Sequence, residues 1–394
     1  MLIPTASRLQ PIQEYYFSQK LREIEALNKA GTPVINLGIG SPDRPPHPRV
    51  VAALTQAAQQ PNTHAYQSYK GVPALRQAMA GWYQRCYGVA LDPDTEVLPL
   101  LGSKEGIIHV SMTLLEAGDE VLLPNPGYPA YRAAAHLAGA TPIAYDLTAA
   151  TDWLPDLEAL ASRDLRRVKL MWANYPHMPT GRPADAAFFE RLVAFAQAHN
   201  ILLVHDNPYS FILNPEPPRS LLAVPGAREV VLELNSLSKS HNMAGWRVGL
   251  LAGRADVLQE VLRFKSNLDS GMFLPVQLAA VEALSLGDDW YTDLNQHYHQ
   301  RRELVWELLQ LLQCPYEPGQ VGLFVWAAVP PAYPDGYALS DALLREARVF
   351  LTPGGIFGSN GNGYIRISLC QPPEVLHTAL ARVREAKTNN HLSS

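Results

Sequence analysis

Short apolar, β-branched runs punctuate the chain: Glu120 to Pro124, Pro142 to Leu147, Val168 to Asn174, Ile201 to Asp206, Val230 to Leu234 and Val248 to Ala252. Runs that stay apolar on successive residues suit strands buried on both faces, not strands with one wet face. Between them lie stretches with helical spacing, such as Ala184 to His199. This alternation predicts an α/β fold with a largely parallel sheet between helices. A helix over Tyr15 to Ala30 precedes the sheet, and a long one over Trp290 to Leu312 follows it. The chain then gives the strand-like GLFVWAAV (Gly322 to Val329) and YIRISL (Tyr364 to Leu369). The expected organisation is a large domain over residues 46–285 and a smaller α/β domain from both chain ends, residues 1–45 and 286–394.

Composition narrows the function classes. With 394 residues and 47% hydrophobic side chains, there is ample material for a large core. A net charge of −5 leaves no surplus for a polyanion, so nucleic acid is not an expected partner. The longest apolar stretches, such as Leu323 to Val329, fall well short of the roughly 20 residues that cross a bilayer. Three widely spaced cysteines, Cys86, Cys314 and Cys370, fit a reducing compartment better than a disulfide framework. The N-terminal MLIPTASRLQPIQEYY lacks a basic segment followed by an apolar one, so no secretory signal is read and the cytoplasm is the expected location.

The chemistry concentrates at strand ends. Lys239, in NSLSKSHNMAGWRVG, follows an apolar strand, with the hydroxyls of Ser236 and Ser238 and the cation Arg247 around it. A nearby cation and partial burial lower a lysine's pKa, which suits a Schiff-base nucleophile; a surface lysine in a serine-rich loop is the alternative. In HDNPY, Asp206 ends the run ILLV. It suits either a turn or the carboxylate that keeps a pyridine cofactor's ring nitrogen protonated, with Tyr209 in reach of a ring hydroxyl. In LGSKEG, the amides of Gly102, Ser103 and Lys104 open a helix whose positive end can hold a phosphate, or merely cap it. Tyr128 in PGYPAY is placed to stack on a planar ring or to fill a core. Arg366 sits in a strand among apolar neighbours, where its fork needs a carboxylate from the protein or from a substrate. NLGIGSPD is only a fragment of a dinucleotide fingerprint, and no Walker loop, HExxH, CxxC or GxSxG is present, so no metal is expected.

Taken in order, NLGIGSPD, HAYQSYKGVPALRQA, GSKEG, PGYPAY, MPTG, DNPY, SLSK with Arg247, and GYIRISL resemble the class I/II aminotransferases of the fold-type I pyridoxal-phosphate family over nearly the whole chain. The resemblance implies a mostly parallel seven-stranded sheet and pyridoxal 5′-phosphate as cofactor. It makes Lys239, Asp206 and Tyr209 catalytic, with Lys239 joined to the cofactor and Asp206 at the ring nitrogen. Gly102, Ser103, Lys104, Ser236 and Arg247 would hold the phosphate, joined by Tyr66 from the second subunit of a homodimer. Tyr128 would stack on the ring, and Arg366, Gly40 and Asn174 would meet the substrate. The implied reaction moves an amino group from an amino acid to a 2-oxo acid in two half-reactions; a carbon–sulfur β-lyase on the same scaffold is the alternative. YYFSQKLREIEALNKAG, NYPH and KSNLDSGMF look most like the branch of LL-diaminopimelate, alanine and aromatic aminotransferases. One position departs: the family's NPTG reads MPTG here, and the thioether of Met178 cannot donate a hydrogen bond to the ring hydroxyl. Asn174 is the candidate to replace that donor.

Overall fold

The computed structural model describes residues 3–12, 14, 16–31, 33–389 and 392. Its strands are β1 (Ile35–Asn36), β2 (Val97–Leu100), β3 (Glu120–Asn125), β4 (Thr141–Asp146), β5 (Val168–Ala173) and β6 (Leu202–Asp206). They continue as β7 (Val231–Ser236), β8 (Gly249–Gly253), β9 (Phe324–Ala328), β10 (Val349–Phe350), β11 (Thr352–Pro353) and β12 (Tyr364–Ser368). Seven of them form the central sheet in the order β2-β8-β7-β6-β5-β3-β4. Only β8 runs against its neighbours; the other strands share one direction.

The apolar runs become strands because both faces of the sheet are covered. Leu203 of β6 and Val231 of β7 enter one apolar layer, while the next residues, Val204 and Leu232, enter the layer on the other face. The period of two is therefore invisible as polarity. Every strand read from the sequence forms within two residues of its expected ends. The edge strand β2 was not expected: it is four residues long and contains Pro99. The opposite edge, β4, carries Pro142. A proline is tolerated at a sheet edge and blocks the addition of further strands.

Helix boundaries follow from their caps. The helix expected from Ala184 begins at Ala186, because the Asp185 side chain accepts the amide of Phe188 at 2.7 Å and starts the first turn there. The first helix runs Tyr16–Lys29, and the expected start, Tyr15, lies outside the described residues. The long C-terminal helix runs Asp288–Leu312, with Asp288 and Asp289 favourable at its positive end.

Residues from both chain ends meet in one of the two smaller sheets. β1 pairs in parallel with β10, Ile35 opposite Val349, and β11, β12 and β9 form an antiparallel sheet. The N-terminal segment is pinned by a two-pronged ion pair: Arg301, on the helix Asp288–Leu312, donates to both oxygens of Asp43 at 2.7 and 2.9 Å. Arg301 is buried while Asp43 is partly open to solvent, so solvent screens part of the pair's energy. This staple holds Gly38 and Gly40 against the mouth of the sheet. Among the described residues no helix is long and apolar enough to cross a membrane.

Candidate active site

Because β8 is the one reversed strand, its N-terminal end lies with the C-terminal ends of β2, β3, β5, β6 and β7. The loops at that edge converge on a cavity of about 420 Å³. Open α/β sheets place ligand sites at this edge, where strand ends leave free backbone groups and helices begin.

One end of the cavity is cationic. The helix Ser103–Leu114 opens here, with Gly102 at its N-cap in a conformation (φ 87°) open to glycine. Ser103, Lys104, Ser236 and Arg247 line this end with Ser238, which sequence reasoning noted beside Lys239 without giving it a role. The Ser236 hydroxyl donates to Ser238 at 2.9 Å, and Arg247 donates to Ala244 O at 2.8 Å. Burial pushes the Lys104 ammonium below its usual range, and the charge of Arg247 pushes it the same way. Two cations at a helix N-terminus with serine hydroxyls suit a phosphate. The fit is close: a Cβ on Gly102 would stand 2.1 Å from Nη2 of Arg247, and one on Gly249 would stand 2.7 Å from the Ser103 amide nitrogen. Gly102→Ala is therefore expected to store about 1–3 kcal/mol of backbone strain and to push Arg247 out of the cradle. Thermal melting and phosphate titration check this; an unchanged midpoint with unchanged affinity would overturn it.

The middle of the cavity holds Asp206, Asn174, Tyr128 and Tyr209. Asp206 ends β6, and burial pushes its carboxyl up to about 6, against the hydrogen bond from Tyr131 and the charge of His205. Oδ2 accepts the Tyr131 hydroxyl at 2.8 Å, whereas Oδ1 is buried with no hydrogen-bond partner among the described residues. A buried carboxylate oxygen left open at a cavity wall calls for a donor from a bound molecule. Asn174 lines the cavity with one N–H and its oxygen used by the protein: its amide donates to Asp206 O at 2.6 Å, and its oxygen accepts the Met178 amide at 2.8 Å. It ties the ends of β5 and β6 together. Tyr128 caps the helix Pro129–Leu137 and meets Tyr131 edge-on, with centroids 5.6 Å apart.

At the other end are Lys239, Gly40 and Arg366. Lys239 lies in the short helix Leu237–Ser240, started by the Ser236 side chain, and its Nζ donates to Gly40 O. Burial pushes its ammonium down; Cys370 opposes the shift, and Arg366 and Arg247 add to it. Arg366, on β12, donates to Gly38 O at 2.8 Å and to the Met178 sulfur at 3.2 Å, with its guanidinium 3.8 Å from the ring centroid of Phe324. The aromatic bed of Phe324 and Phe357 keeps the fork flat. This bed and the role of Met178 as acceptor were not read from the sequence; Met178 lies 188 residues from Arg366, and the contacts carry no local signal.

Tyr66 stands apart from this cavity and is 89% exposed. Tyr69, Leu268 and Phe273 are exposed with it, and Gly271 lies against the backbone of Gln67 and Ser68, so these segments share one surface. The one group of possible metal ligands among the described residues, Glu105, His109 and Asp269, lies outside the cavity, and Lys265 already supplies a cation to Asp269 at 2.5 Å.

Comparisons agree with this geometry. A family model described as aminotransferase class I and II matches residues 32–383. LL-diaminopimelate aminotransferase of Moorella thermoacetica is 41% identical over 380 residues, covering 96% of this chain and 97% of its own. The apo structure of BacF from Bacillus subtilis superposes with a TM-score of 0.94 at 37% identity and full coverage of both chains. An aromatic aminotransferase from Pyrococcus horikoshii reaches 0.86 at 27% identity, covering 95% and 100%.

Proposed function

This chain belongs to the class I and II aminotransferases and is an aminotransferase, and from that premise we propose that it binds pyridoxal 5′-phosphate in this cavity and uses Lys239 to move the proton that transamination requires. The observation that carries the reading is the open, buried Oδ1 of Asp206, in one cavity with a lysine of lowered pKa and a cationic helix N-terminus. When bound, the cofactor supplies the electron sink that acidifies the α-C–H bond of an amino acid. The chain supplies the rest. The amides of Gly102, Ser103 and Lys104, the hydroxyl of Ser236 and the charge of Arg247 bind the phosphate. Asp206 holds a proton at the ring nitrogen, Tyr209 meets the ring hydroxyl, and Tyr128 covers a ring face. Arg366 takes the substrate's α-carboxylate in two-pronged geometry, which turns the α-hydrogen toward Lys239. The neutral amine of Lys239 then takes that proton and returns it nearby as an acid.

The protein acts as a homodimer in this reading, Tyr66 of each subunit completing the phosphate site of the other. Its support is the shared exposed surface of Tyr66, Tyr69, Leu268 and Phe273. A monomer in sedimentation at micromolar concentration would remove it.

One observation bears on the amino donor. Relatives at 38–42% identity are named for LL-diaminopimelate, whose far end carries a second ammonium and a second carboxylate. Phe17, Ser18, Leu21 and Ile39 also line this cavity. The test is the visible spectrum of the protein with pyridoxal phosphate, followed through a panel of amino acids that includes LL-diaminopimelate. The expected result is a band bleached by one donor and restored by one 2-oxo acid. Pyruvate and ammonia released without an acceptor would instead establish a lyase, and absence of any band would overturn the cofactor assignment.

A further inference from the structure

Asp206 does not stand alone in the cavity wall. Tyr131 enters from the first turn of the helix Pro129–Leu137 and donates its hydroxyl to Oδ2 at 2.8 Å. The phenol is buried, and its ring lies flat on Trp172 of β5, centroids 4.9 Å apart and planes 11° apart. Tyr128 meets the same ring edge-on, centroids 5.6 Å apart at 85°. The stack on Trp172 restrains the ring, and the hydroxyl holds one carboxylate oxygen while Oδ1 is left for a ligand. Burial and the adjacent carboxylate hold the Tyr131 phenol far above its usual range, so it remains a donor at every working pH.

We infer that Tyr131 is a positioning residue that orients Asp206 and lowers the cost of ionising it, so that Oδ1 is presented as a charged acceptor to the nitrogen of a bound pyridine ring. The inference rests on the proposed cofactor site. A buried carboxylate must be held charged by hydrogen bonds or neighbouring charge, because burial alone favours its acid form. The groups that face Asp206 are few. From the cavity side come Tyr209, Tyr128 and Lys239. Within β6, His205 points to the opposite face, between Glu233 Oε2 and Tyr175 O, each at 2.8 Å. The Asn174 amide reaches only the backbone oxygen of Asp206. Among the described residues Tyr131 is thus the sole side-chain donor to the carboxylate.

The test follows retention of pyridoxal phosphate by the holoenzyme dialysed across a range of pH. Acid that protonates Asp206 should release the cofactor, and the midpoint of that loss reads the acid's strength in place. Tyr131→Phe removes one oxygen atom and keeps the stack on Trp172. It is expected to raise the midpoint by about one to two pH units, the range of a hydrogen bond to a charged group. It should also lower kcat about 10-fold, with KM for the donor nearly unchanged, because the Tyr131 hydroxyl is spent on Asp206. Tyr131→3-fluorotyrosine, introduced at this position alone, preserves shape and strengthens the donor, so it should move the midpoint downward even if the phenylalanine variant folds poorly. Profiles that overlay the parent's in both variants would overturn the positioning role while leaving the cofactor site standing. A parent that retains no cofactor at any pH would remove both.

Discussion

Lys239→Ala is expected to lower turnover by roughly 10^4-fold or more while leaving cofactor affinity within about 10-fold of the parent, since both general acid–base and nucleophilic roles fall on this one amine. The asymmetry follows from the geometry. The phosphate cradle of Ser103, Lys104, Ser236 and Arg247 and the open oxygen of Asp206 lie on other segments, so binding does not pass through Nζ. The proton, by contrast, has no other carrier within the scheme. Tyr209 lines the cavity but is assigned to the ring hydroxyl, and Cys370, the nearest thiol, is pushed up by burial away from the thiolate form. Lys239→Arg should be equally inactive, because a guanidinium does not give up its proton. The measurement is a single-turnover spectrum with the identified donor, alongside a cofactor titration. Turnover within 10-fold of the parent would break the assignment, whereas loss of cofactor binding as well would mean that Lys239 acts as an anchor.

Two of the residues legible in the sequence follow apolar runs. Asp206 after ILLV and Lys239 after the run ending in Leu234 were visible because a charge at the end of a strand buried on both faces is locally anomalous. Gly102 was visible through the helix it opens. What sequence could not rank was the support around these groups. Tyr131 looks like any core aromatic until the fold brings it to Asp206, 75 residues away. The bed of Arg366 draws Gly38, Met178, Phe324 and Phe357 from four separate segments. At position 178 a donor is lost; the structure makes the thioether an acceptor for Arg366, while one N–H of the Asn174 amide holds two strand ends together. β2 escaped because four residues with a central proline carry neither a period nor a strand propensity, and only the neighbouring β8 makes them a strand.

Asp206→Asn separates binding from chemistry at a single atom. The amide keeps the shape and can still accept from Tyr131, but it carries no charge, so it cannot hold a proton on a pyridine nitrogen. Removing a fixed group that stabilises developing charge costs about 10²–10³ in kcat, and that loss is expected here with little change in KM for the donor. The same variant should be more stable than the parent when both are prepared free of cofactor. Burial raises the Asp206 pKa from an ordinary 3.8 to about 6, so the folded protein holds a proton where the unfolded chain has lost it. Stability therefore falls as pH rises between those values and stays low above them, by on the order of 2–3 kcal/mol. Asparagine has no such penalty, and its melting midpoint should stay flat across that window and exceed the parent's above it. A parent curve that rises through the same window would mean that Asp206 is held charged by the protein alone; the cost of ionising it would then not be met by the bound ring, and the cofactor's grip on this site would have to come from the phosphate end.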